Sequence, residues 1–145
     1  MGSESWDPAI LDSGASRTVC GKAWLDDYLS NLSSDQRNRV HSEPSQSIFR
    51  FGDGNRLQSS SRVNIPAVIN NKQISITTDV VDSTTTIILT GGDMQKGNMQ
   101  IDFQSDTAEV FGDRLNLITT KSGHYALPIT QNTQLFNLLM PNQTS

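Results

Sequence analysis

The stretch AILDSGASRTV, residues 9–19, is a short apolar run that stops at an acid and continues in small residues. Ala9, Ile10 and Leu11 read as a buried strand, and Gly14 supplies backbone freedom just after Asp12. The strand therefore delivers a carboxylate to a loop. A lone aspartate in that place is ordinarily a turn-former or a cap, because its oxygens accept nearby backbone N–H groups. It can instead be a reactive acid whose surroundings set its protonation. The rest of the chain decides between the two.

Downstream, GKAWLDDYLSNL (residues 21–32) places Trp24, Leu25, Tyr28, Leu29 and Leu32 at helical spacings. This predicts an amphipathic helix of about three turns opened by Gly21, with Asp26 and Asp27 on its solvated face. Residues 33–47 are polar, contain Pro44 and show no period, which predicts a loop or mobile excursion. From Ile48 the pattern becomes short β-branched or alternating runs bounded by Gly, Asn or Asp, through to about residue 120. Within it, FGDGNR (residues 51–56) reads as a hairpin tip, since Asp-Gly and Gly-Asn tolerate positive φ. No internal repeat is seen. The expected fold class is all-β, or mostly β with one or two short helices.

At 145 residues one domain is expected. A hydrophobic fraction of 34% with abundant Ser, Thr, Asn and Gln suits short strands and polar turns rather than long packed helices. The net charge of −4 argues against a nucleic-acid surface, which needs clustered cations. No run reaches the length of a membrane span. The single cysteine, Cys20, cannot form an intramolecular disulfide, which fits a reducing interior. Cys20 with His41 or His124 lacks the local sequence of a thiol hydrolase, and these three residues have no metal-ligand spacing. GGDMQKG lacks the ending of a phosphate-binding loop. No cofactor and no metal are expected.

The string Ile10, Leu11, Asp12, Ser13, Gly14, Ala15 and Ser16 resembles the active-site signature of retroviral-type aspartic proteases, the retropepsins. FRFGDGNRLQSSSRVNIPAVI, from Phe49, lies where that family carries its flap hairpin. TTTIILTGGDM, from Thr84, lies where it carries a second apolar strand ending in glycine. The whole stretch from Trp6 to Ile129 is similar to the protease segment of a long-terminal-repeat retrotransposon polyprotein. One departure concerns Thr90, which intervenes between Leu89 and the pair Gly91-Gly92, where the family commonly has Gly directly after its apolar pair.

The resemblance implies a retropepsin-like acid-protease barrel, homodimeric with flap hairpins, and an aspartic endopeptidase with Asp12 as the catalytic residue. Ser13, Gly14, Ala15 and Ser16 would support the active-site loop, Phe51, Gly52, Asp53, Gly54 and Asn55 would form the flap that binds an extended peptide, and Ile88, Leu89 and Gly91 would belong to the second strand. The reaction needs two carboxylates, one taking a proton from water and the other donating one to the scissile carbonyl. Only one Asp-Ser-Gly occurs in the chain. Two copies would therefore bring two Asp12 side chains together on a two-fold axis and share one proton between them, an arrangement for which aspartic proteases are the standard example. Residues 1–5, Met-Gly-Ser-Glu-Ser, lack the apolar core of a signal peptide and read as an added scar, and the resemblance makes 6–129 the protease domain and 130–145 a tail or polyprotein linker. The expected setting is the cytoplasm or a virus-like particle, with the polyprotein as substrate and neither nucleic acid nor membrane as partner. A catalytically silent protease-fold module that dimerises or binds peptide is the alternative.

Overall fold

In a computed structural model the described residues are 9–12, 17–50, 54–69, 72–96, 98–121, 123–127 and 129. Their main element is an eight-stranded mixed sheet. Its strands are β1 (Ala9–Leu11), β2 (Val19–Gly21), β3 (His41–Pro44), β6 (Ser61–Ile69), β7 (Lys72–Val81), β8 (Ile88–Leu89), β12 (Ile118–Thr119) and β13 (Tyr125–Leu127), in the spatial order β12-β13-β1-β8-β2-β7-β6-β3. A two-stranded hairpin, β4 (Ile48–Arg50) and β5 (Arg56–Gln58), and a three-stranded sheet of β9 (Gln100–Asp102), β10 (Thr107–Val110) and β11 (Asp113–Asn116) complete the β structure. Three short helices join them: α1 (Lys22–Ser30), α2 (Ser34–Arg37) and α3 (Gly91–Lys96). The expected mostly β class is what the chain adopts.

The long hairpin β6–β7 is the backbone of the sheet, antiparallel from Ser61↔Val80 to Ile69↔Lys72. Pro66 sits inside β6 without costing a ladder bond on its outer side, because β3 covers only Ser61 to Asn64. The Pro66 carbonyl instead accepts the Tyr28 hydroxyl at 2.7 Å. That contact pins α1, whose buried face is Trp24, Leu25 and Tyr28, with Trp24 stacked on Tyr28 at 5.1 Å. Asp26 and Asp27 face solvent as expected, and Lys22 pairs with Asp26 at 3.2 Å. Ala108, Val110 and Leu115 of the three-stranded sheet join Ile65, Leu89, Met94 and Leu127 in one continuous core. Between β10 and β11 the two-residue turn Phe111-Gly112 has φ of 53° and 87°, the positive values that a tight hairpin of this length demands.

Residues 33–47 depart from the expectation of a loop. Ser33 and Gln36 form a reciprocal capping box around α2, and His41–Pro44 adds an edge strand to β6. Nothing in its own composition marks β3, because all four of its residues are exposed. It exists because β6 offers a free edge.

Candidate active site

Asp12 follows directly on β1, and the sheet order explains how it is held. Strand β8 lies between β1 and β2, parallel to β1 (Leu11↔Leu89) and antiparallel to β2 (Val19↔Ile88). The chain leaving β1 must therefore cross over β8 to reach β2, and Asp12 stands where that crossing begins. Its backbone N–H donates to the Leu89 carbonyl at 3.0 Å, and its side chain is half-buried. A residue on a strand end whose backbone is bonded to a neighbouring strand presents its side chain from a fixed point, which is what a reactive group requires.

The far end of the crossing is fastened as well. Thr18 is buried, and its hydroxyl accepts the Thr90 N–H at 3.3 Å while donating to the Asp93 carboxylate. Thr90 in turn caps α3: its hydroxyl accepts the Asp93 N–H at 3.1 Å and its carbonyl the Met94 N–H at 3.0 Å. In an ordinary capping box the third helical residue reaches back to the cap's own N–H. Here the Thr18 hydroxyl is interposed between them, so the cap of α3 is tied to the segment leaving the Asp12 crossing. The intervening Thr90 thus starts the helix at Gly91 rather than disturbing it.

The expected flap position does hold a hairpin. β4 and β5 pair antiparallel as Ile48↔Gln58, Phe49↔Leu57 and Arg50↔Arg56, and Gly54 near its tip has φ +89°. Its inner face, Phe49 and Leu57, packs on Val19, Val81 and Ile88, and Ile88 is the partner of Ile10 on β1. The hairpin therefore rests on β8, next to the strand that carries Asp12, and on β2 and β7 beyond it. Ile88 and Leu89 form β8, with Leu89 buried, whereas Gly91, expected with them in the second strand, opens α3 because Thr90 caps the helix there. Asn55 and Gly54 are exposed. Ser13, Gly14, Ala15, Ser16, Phe51, Gly52 and Asp53 lie outside the described residues, as does the tail 130–145.

Other chemistry has less support. Burial pushes the Cys20 thiol up to about 11, opposed in part by a hydrogen bond with Thr78 and reinforced by the charge of Asp79. Such a thiol is not a nucleophile near neutrality. An apolar hollow of about 170 Å³ lies among Ile69, Ile74, Met94, Met99, Val110 and Phe111, with Asp93 on its wall. That carboxylate is engaged by Thr18, so the hollow does not offer a free acid. Among the described residues no group of three or more His, Cys, Asp or Glu could hold a metal ion, and no helix is long and apolar enough to cross a membrane.

The sequence reading missed Thr18 and Asp93. The Thr90-x-x-Asp93 spacing is a cap signal that could have found one partner. Thr18 is 72 residues from Thr90 and has no local signal.

No family model and no curated protein matches the chain. Among solved structures it is similar to the retroviral protease-like domain of Ddi1 from Leishmania major, at 14% identity and a TM-score of 0.47 over 83% of this chain and 82% of that one.

Proposed function

We propose that the chain is an aspartic endopeptidase of retroviral type, active as a symmetric homodimer and cutting the polyprotein that carries it, in the cytoplasm or an assembling particle. The observation that carries the reading is the placement of Asp12: an acid in an Asp-Ser-Gly-Ala-Ser string, at the end of a buried strand, with its backbone bonded to Leu89 of β8, the strand whose Ile88 also packs against the β4–β5 hairpin. One chain supplies one such acid, and the chemistry needs two. Asp12 of the partner subunit completes the pair.

In that pair the ionised carboxylate takes a proton from a water molecule, whose oxygen attacks the scissile carbonyl. The protonated carboxyl gives its proton to the carbonyl oxygen, forming a neutral gem-diol. Collapse breaks the C–N bond as a proton passes to the departing nitrogen, and the dyad returns to its singly protonated state. The β4–β5 hairpin would bind the substrate as an added strand and exclude water. Apolar residues beside the cut are the preference that the resemblance to the family implies.

The test is peptide-library cleavage by the native chain and by Asp12→Asn from about pH 4 to 7, with protein concentration varied through the dimerisation range. Cleavage that rises more than linearly with concentration, is blocked by a statine-type transition-state mimic and disappears in Asp12→Asn is the expected result. A dimer that binds peptides but releases no product at any concentration would replace the enzyme with a silent binding module.

A further inference from the structure

The sheet contains a buried carboxylate that the reaction does not use. Asp79, on β7, is 2% exposed. One of its oxygens accepts Arg62 Nε at 2.7 Å across the β6–β7 ladder, where Arg62 and Asp79 are register partners. Glu43 stands 3.9 Å from the same guanidinium. An Arg–Asp pair of this kind would suffice to neutralise the acid. Asp79 has a second commitment.

Its other oxygen accepts the Ser45 hydroxyl at 3.2 Å. Ser45 Oγ accepts the Ser59 hydroxyl at 2.9 Å, and Ser59 Oγ accepts the Ser47 N–H at 3.0 Å. All the donors in this file point one way, toward the carboxylate, as expected when a buried anion orients a chain of hydroxyls. Ser45 and Ser47 precede β4, and Ser59 follows β5 directly. The Ser59 N–H also donates to the Ser47 carbonyl at 2.8 Å. Both stems of the hairpin are thus gathered onto one acid in the body of the sheet. Arg17, just before β2, adds a separate contact to the same stem by donating to Ser47 Oγ at 3.1 Å.

We propose that Asp79 is a positioning residue, which through Ser45 and Ser59 clamps the root of the β4–β5 hairpin and so sets how firmly the hairpin closes on a bound peptide. This rests on the protease reading for its link to substrate, but the clamp itself is a property of the hairpin and can be measured without catalysis. Cutting the file frees the root of the hairpin from Asp79 while the apolar packing of Phe49 and Leu57 stays in place, so the root loosens without the hairpin detaching. The Arg62 pair keeps the strands together when only the serine end is removed.

The experiment compares the native chain with Ser45→Ala, Ser45→Thr and Asp79→Asn. Ser45→Ala breaks the file and leaves Arg62 and Asp79 paired, whereas Ser45→Thr restores the hydroxyl. The first readout is amide hydrogen exchange. Exchange across residues 48–50 and 56–58 should quicken about three- to tenfold in Ser45→Ala, return toward native in Ser45→Thr, and leave the β6–β7 ladder unchanged. The second is steady-state cleavage of an apolar peptide, in which KM should rise by a similar factor with kcat changed less. Hairpin exchange that does not move, that moves equally with the core, or that Ser45→Thr fails to rescue would overturn the clamp. Loosened exchange with native KM would overturn its role in substrate capture. If the native chain cleaves nothing, the protease reading fails, and the exchange comparison alone still decides the clamp.

Discussion

Thr18 has one hydroxyl and uses it twice, as acceptor from Thr90 N–H and as donor to Asp93. Thr18→Val keeps the shape and removes both bonds, leaving a buried N–H and a carboxylate short of partners. The expected cost is about 2 kcal/mol, read from the urea midpoint, and a change below about 0.5 kcal/mol would show that water replaces the hydroxyl. Gly21 makes a different residue-scale demand. A Cβ there would stand 2.2 Å from the Ser83 carbonyl oxygen and 2.7 Å from that of Thr85, both backbone atoms that cannot swing aside. Gly21→Ala should therefore cost roughly 1–3 kcal/mol by overpacking, and at the extended N-cap of α1 alanine brings no compensating helix propensity. Melting of the purified variant decides it. The strand end at Asp12 was legible because Ala9, Ile10 and Leu11 form one contiguous apolar run ahead of it. Gly21 could be read as the residue that opens α1, but the need for a bare Cα there was not legible, because the turn that fills its space lies some sixty residues away in sequence.

Among the elements, α1 was readable from its apolar spacing, because one buried face repeats within nine residues. β3 was not, since its exposed residues carry no alternation and its only reason to be extended is the edge of β6. α2 announces itself only by the Ser33 and Gln36 spacing, which is short enough to pass for an ordinary polar loop. The hairpin β4–β5 was readable from its turn chemistry, whereas the serines that root it read as part of a featureless polar run. How α1 is fixed to the sheet is open to a direct check. The Tyr28 hydroxyl reaches the Pro66 carbonyl, and Pro66 lies beyond the end of β3, so that carbonyl depends on the helix. Tyr28→Phe should lower stability by about 1–2 kcal/mol while leaving the Trp24 stacking in place. Equilibrium unfolding followed by far-UV circular dichroism measures it, and an unchanged midpoint would mean that the tie contributes nothing net.

For the molecule as a whole, the buried groups that dislike charge set a limit at high pH. Burial raises the Cys20 thiol from 9.0 to about 11, and burial likewise raises the Tyr28 phenol from 10.0. Both groups are neutral when protonated, and the folded chain holds those protons more tightly than the unfolded chain does. The stability they confer is therefore complete below about pH 9. It is lost as pH rises, first through the Cys20 window from 9 to about 11 and then as Tyr28 begins to titrate in the unfolded chain. For Cys20 alone the loss by pH 11 is on the order of 2 kcal/mol. The urea midpoint should hold steady up to pH 8.5 and then fall, and Cys20→Ala should flatten the fall between pH 9 and 10, before Tyr28 takes over. Because exposed lysines titrate equally in both proteins, the difference between the two curves isolates the thiol. Identical curves would mean that Cys20 is reached by solvent in the folded chain, and then a thiol reagent at pH 8 would label it as fast as a free cysteine. Slow labelling, paced by opening of the sheet at β2, is the result that agrees with a thiol buried on β2 in the core, where Cys20 pairs with Val80 of β7.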